Sequence, residues 1–253
     1  MLSKEFIELQ KKQLTDLGNK LDKEARFAQQ LIDSGKRPPN EVSWFRSVRL
    51  LAIHGTFQIQ NFLKTLDDYQ DKQEEQIGFY IGKMAIQSFL EIINAFEQRM
   101  NKLVNSSPSL SSLLKERIEK KVEIITKGWK EDANRKSRDF RDDLIKAYER
   151  KLFEMKFIRD SLKKEGIIDK LDYKILEFSW DIRNSMHNDF LAIKDIEFSA
   201  PGTSLNYSFA FKKGEELYHP KDLSAFYSMT EQIIFILHKI LQHFNKLDEE
   251  RKS

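Results

Sequence analysis

The stretch "KLDYKILEFSWDIRNSMHND", residues 170–189, reads as an amphipathic helix that runs into a crowd of polar side chains. At about 100° per residue, Leu171, Ile175, Phe178, Ile182 and Met186 share one stripe, the spacing of a face that packs into a core. Leu176, Trp180, Arg183 and His187 fall beside it as a second stripe, two apolar residues followed by a cation and an imidazole. Asn184 and Asn188 form an i,i+4 pair on the side away from the core. A helix with two adjacent contact faces touches two neighbours, and a second copy of the chain is one candidate. This helix is expected over about 168–188.

Past it the period changes. "IEFSA" (196–200), the turn "PGTS" (201–204) and "LNYSFAFK" (205–212), with Leu205, Tyr207, Phe209 and Phe211 alternating, predict a β-hairpin within about 195–218. "KKGEELY" (212–218) would add a short third strand. Asp222 is then placed to cap a final helix carrying Leu223, Phe226, Ile233, Ile234, Leu237, Leu241 and Phe244.

Upstream the pattern is helical throughout. Apolar residues from Phe6 to Leu31 describe a helix over 3–35, stopped by "SGKRPPN". Asn40 is expected to cap a second helix reaching Leu66, and Asp71 with Glu74 has capping-box spacing before a third, over about 72–104. In "NSSPSLSS", Ser107 is a natural cap with Pro108 in the first turn. Residues 110–164 then read as one long helix or two, weakest at Gly128 and ended at Gly166. The expected fold is all-α: an elongated bundle of six or seven helices with a small β-hairpin before the last. A three-helix region at 1–105 and a second helical region at 106–253 are the expected parts, unless the two form one continuous domain.

Composition narrows the function. Among 253 residues there are only nine Gly and five Pro, which favours long helices over many short strands. The absence of cysteine removes disulfides, thiolate metal sites and cysteine nucleophiles. No HExxH pairing, Walker-type loop or GxGxxG loop occurs, so neither a metal nor a cofactor is expected. "MLSKEFIELQ" has no apolar leader run and no 18-residue apolar stretch exists, so a soluble, cytoplasmic protein with no membrane contact is expected. The net charge is +3, but Lys115–Lys164 holds 17 Lys and Arg against 11 Asp and Glu. Its densest point, "NRKSRDFR" (134–141), offers Arg135, Lys136, Arg138 and Arg141 either as a solvated helix face or as a surface that tracks nucleic-acid phosphates.

His54, inside an apolar helix beside Gly55, reads as a core or interface histidine, and His238 and His243 as structural or exposed ones. Asp142, Asp143 and Glu149 have too many cationic neighbours for a metal site. The 183–188 cluster has an ordinary account as well: an imidazole near a helix C-terminus, Asn188 as a C-cap, and Arg183 paired with an acid such as Asp189.

"RNSMHN" (183–188) also resembles the motif of the HEPN superfamily (higher eukaryotes and prokaryotes nucleotide-binding): an Arg, a polar residue directly after it, and a His a few positions on. Arg183, Asn184 and His187 match these in turn, within residues 110–247. Three residues separate Arg183 from His187, one fewer than the family's shortest usual spacing, and the next position is Asn188. The resemblance implies an all-helical domain at 106–253 and metal-independent endoribonuclease chemistry in bacterial defence or toxin–antitoxin biology. It implies a homodimer whose two motifs share a cleft, with RNA as substrate and an antitoxin or other protein as partner. His187 would be the acid or base and Arg183 the phosphate clamp, with Asn184 as an orienting group and Asn188 at the position the family spacing favours. The competing expectation is a non-catalytic HEPN-like helical protein that binds a protein, a nucleic acid or a nucleotide.

Overall fold

In the computed structural model, which describes residues 4–35, 39–68, 74–127, 135–186, 191–199, 208–217 and 224–252, the chain is all-α apart from one small hairpin. The described helices are α1 (Lys4–Asp33), α2 (Pro39–Asp68), α3 (Glu74–Ser106), α4 (Pro108–Thr126), α5 (Arg135–Glu149), α6 (Met155–Lys164), α7 (Lys170–Met186) and α8 (Ser224–Glu250). Between α7 and α8 lie β1 (Ile196–Ser199) and β2 (Ser208–Phe211), antiparallel, with Ile196 opposite Phe211 and Phe198 opposite Phe209. Helices and hairpin therefore stand in the order that the apolar spacing predicts.

Local chemistry sets the boundaries. Ser107 caps α4 by accepting a hydrogen bond from the Leu110 N–H at 3.2 Å, with Pro108 in the first turn, where its missing N–H costs nothing. At the end of α6, Gly166 takes a φ of 69°. The Ile167 N–H donates to the Leu162 carbonyl at 2.9 Å and the Gly166 N–H to that of Lys163 at 3.1 Å, the two bonds of a Schellman cap.

Three boundaries differ from expectation. Helix α2 starts at Pro39, so Asn40 lies inside its first turn instead of capping it; the fixed φ of proline suits the first helical position. Residues 110–164 form neither one helix nor two: α4, α5 and α6 are separated, and a single 3₁₀ turn (Arg150–Phe153) followed by the extended Glu154 lies between the last two. Leu152 and Met155 are both buried across that break, so the apolar spacing continues through it while the helix does not. "KKGEELY" gives a turn at Gly214, with φ 83°, and an isolated bridge between Leu191 and Glu216 in place of a third strand. Asp71, Gly128, the "PGTS" turn, Leu205, Tyr207, Asp222 and Leu223 lie outside the described residues.

The chain divides into two compact units, Met1–Phe96 with Lys170–His238 and Glu97–Asp169 with Lys239–Ser253, so the division falls within α3 and α8. In the first, α1 and α2 approach closely. A Cβ on Gly55 would stand 3.0 Å from Leu21 and one on Gly18 3.6 Å from Ile59. That core also holds a run of aromatic rings: Phe209 of β2 lies 5.4 Å from Phe178 of α7 and 5.3 Å from Phe226 of α8, whose ring in turn meets Phe89 of α3 at 5.4 Å. In the second unit, Leu110, Leu114, Ile118 and Val122 of α4 are buried, as are Ile158 and Leu162 of α6. There the Ser109 N–H donates to the Asp248 carboxylate at 2.8 Å.

Two substitutions test this account by urea denaturation followed by circular dichroism. Phe209→Ala should cost about 3–5 kcal/mol, because it empties the space shared by Phe178 and Phe226. Ser107→Ala should cost about 1 kcal/mol through the lost cap.

Candidate functional site

The polar end of α7 is fixed by its neighbours. Ser185, buried, donates through its hydroxyl to the Asp181 carbonyl at 2.8 Å and accepts from the Ile193 N–H at 3.3 Å. Asp181 in turn pairs with Lys194 at 2.9 Å. These contacts tie the last turn of α7 to the chain that leads into β1.

The second stripe of α7 faces α3 of the same chain. Leu176 is buried, and Trp180 meets Phe96 edge-on at 5.9 Å. One turn on, the Arg183 Nε–H donates to Oδ1 of Asn94 at 3.0 Å, which fixes the plane of the guanidinium. Asn184 is exposed, as its place on the far side predicts. His187 and Asn188 lie outside the described residues. Within the described residues the structure thus joins Arg183 to α3, a partner the sequence did not suggest.

Asn94 belongs to a polar strip. On α3, Ile86, Phe89, Ile93 and Phe96 are buried, while Gln87, Glu91, Asn94 and Gln98 stand exposed at steps of four, three and four. Glu91, one turn before Asn94, accepts a hydrogen bond at Oε2 from the His54 Nε2 of α2 at 2.9 Å. The same oxygen accepts from the Gln58 amide, and Gln58 accepts at Oε1 from the Ser88 hydroxyl at 3.4 Å. His54 is 40% exposed, so it is neither a core residue nor a buried one. A carboxylate on one ring nitrogen fixes the tautomer and leaves the other nitrogen for proton transfer, the arrangement general base histidines use.

His54, Gln58, Glu91 and Asn94 were not read from the sequence as site residues. The available signal was the exposed strip on α3 and the i,i+4 spacing of His54 and Gln58; the pairing between helices had none.

The basic run lies on α5, in the second unit, whereas Arg183 belongs to the first. Arg141 is exposed; the side chains of Arg135, Lys136 and Arg138 lie outside the described residues. Among the described residues no three His, Asp or Glu gather as a metal site, and no helix is long and apolar enough to cross a membrane. Comparison with protein-family models, curated proteins and solved structures finds no match to this chain.

Of the other histidines, His243 is exposed and His238 is half-buried edge-on to Trp44, with ring centroids 4.5 Å apart. Burial lowers the His238 pKa below its ordinary value. The folded protein therefore binds this proton less readily than the unfolded chain, so stability is expected to fall as pH drops through the unfolded value of about 6.5 and to level off below the folded one. Chemical denaturation of native protein and His238→Phe between pH 8 and pH 5 should show a smaller loss in the variant.

Proposed function

We propose that the chain is a HEPN-like, metal-independent endoribonuclease. The observation that carries this reading is the placement of Arg183 at the end of α7, its guanidinium held by Asn94 beside the exposed Asn184, in a unit that is helical apart from one small hairpin. Arg183 binds the scissile phosphate and offsets charge on the phosphorane-like transition state, and Asn184 orients the phosphate. His187 moves the proton, with Asn188 beside it. A homodimer would present two copies of the motif, and the exposed Arg141 with Arg135, Lys136 and Arg138 of α5 would guide RNA. On this reading the protein acts in bacterial defence or as a toxin with a protein antitoxin.

The test is cleavage of RNA in the presence of EDTA, with products bearing a 2′,3′-cyclic phosphate. Arg183→Ala is expected to lower kcat by about 10²–10³ and His187→Ala by about 10²–10⁴, with melting unchanged. Growth arrest on bacterial expression, relieved by His187→Ala, is the expected cellular counterpart. Cleavage that survives both substitutions would remove this motif from the reaction.

A second reading, a non-catalytic HEPN-like protein that binds a partner protein, is supported by large apolar side chains left in solvent in the second unit. These are Ile124, 72% exposed, with Ile125, Phe140 and Phe153. It expects a stable complex and no cleavage.

A further inference from the structure

We propose that His54, held by Glu91, is the general base of the site that contains Arg183, and that Phe57 stacks a base of single-stranded RNA laid along the same strip. The inference rests on the ribonuclease reading above and extends it to residues of α2 and α3. Glu91 and Asn94 are neighbours on the exposed side of α3, with Cβ atoms about 5–6 Å apart as for any i,i+3 pair. One holds the His54 imidazole at 2.9 Å and the other the Arg183 guanidinium at 3.0 Å. An acid–base group and a phosphate clamp are thus fixed to adjacent positions of one helix. Phe57, three residues after His54 on α2, leaves 57% of its surface in solvent. Gln58, next to Phe57, meets Ser88 whereas His54 meets Glu91, so Phe57 lies one turn from His54 on the side away from Asn94 and Arg183. An exposed ring there can stack the unpaired base that neighbours the scissile phosphate, as in single-strand recognition.

The step balances without a metal. The carboxylate of Glu91 keeps the Nε2 proton of His54, and Nδ1 accepts the proton of the 2′-hydroxyl. The 2′-oxygen then forms its bond to phosphorus as the bond from phosphorus to the 5′-oxygen breaks. The departing 5′-oxygen takes a proton from water, and the hydroxide left behind is neutralised by the proton of the His54 imidazolium, which restores the neutral ring. Arg183 holds a non-bridging phosphate oxygen throughout. Glu91 is a positioning residue, acting through His54.

The test uses the full chain and a fluorogenic single-stranded RNA in EDTA, with a duplex of the same sequence as control. His54→Ala is expected to lower kcat by about 10²–10⁴ with KM little changed, and added imidazole to restore part of the loss, which a structural role would not allow. His54→Gln, which keeps an N–H for Glu91, should melt as the native protein does and stay inactive. Phe57→Ala is expected to raise KM by about five- to a hundredfold on single strands. Full activity in His54→Ala together with loss in Arg183→Ala would overturn this assignment and leave the ribonuclease reading standing. Equal cleavage of duplex and single strand would overturn the role of Phe57, and no cleavage by the native protein would overturn both proposals.

Discussion

Phe209 lies between Phe178 and Phe226, and the arrangement of the first unit depends on that ring. Two strands of four residues do not hold together by themselves in water, because so short a ladder does not offset the entropy of ordering it. The hairpin persists because Ile196, Phe198, Phe209 and Phe211 all turn to one side and are buried there. Phe178 meets Phe198 as well as Phe209, each at 5.4 Å, so the same contacts that anchor the hairpin fix the rotation of α7 about its axis. Each such aromatic pair contributes on the order of 0.5–1.5 kcal/mol beyond area burial.

Once that rotation is fixed, the helical period does the rest. With Phe178 turned towards the hairpin, Trp180 and Arg183 are carried round to α3, and the guanidinium meets Asn94 as the indole meets Phe96. On α3 the same period separates Phe89, Ile93 and Phe96, which are buried, from Glu91 and Asn94, which are exposed. The polar strip is thus the other side of the core stripe, and it brings to one place residues from α2, α3 and α7 that are up to 129 positions apart, from His54 to Arg183.

This explains why the fold was largely legible in the sequence and the site only in part. Apolar spacing, Ser107 and Gly166 are local signals, and each marked an element that the structure contains. The break at Glu154 was illegible because Leu152 and Met155 keep an apolar spacing across it, with no Gly or Pro to mark the change. Arg183 could be singled out because its neighbours in sequence are unusual. His54 could not: in sequence it sits among apolar residues, and what makes it polar in character is Glu91 on another helix, 37 positions away. Hydrogen bonds between helices leave no periodic trace, since either partner alone looks like an ordinary residue on a solvated face.

The His54–Glu91 pair adds little to what holds α2 in place. A hydrogen bond between two exposed side chains contributes about 0–1 kcal/mol, because water competes for both groups and two side chains lose rotamer freedom. The His54–Glu91 contact is of that kind, with side chains 40% and 50% exposed. The α1–α2 packing around Gly55 and Leu21 holds α2 without it. A histidine whose hydrogen bond does little for stability, yet whose ring is oriented by a carboxylate one helical turn from the residue that holds a guanidinium, can be replaced without disturbing the fold. That separation between what holds α2 in place and what faces solvent from it is the condition an acid–base residue must meet. Removing His54 should therefore leave melting almost unaltered while changing the chemistry, the opposite of what removing Phe209 does.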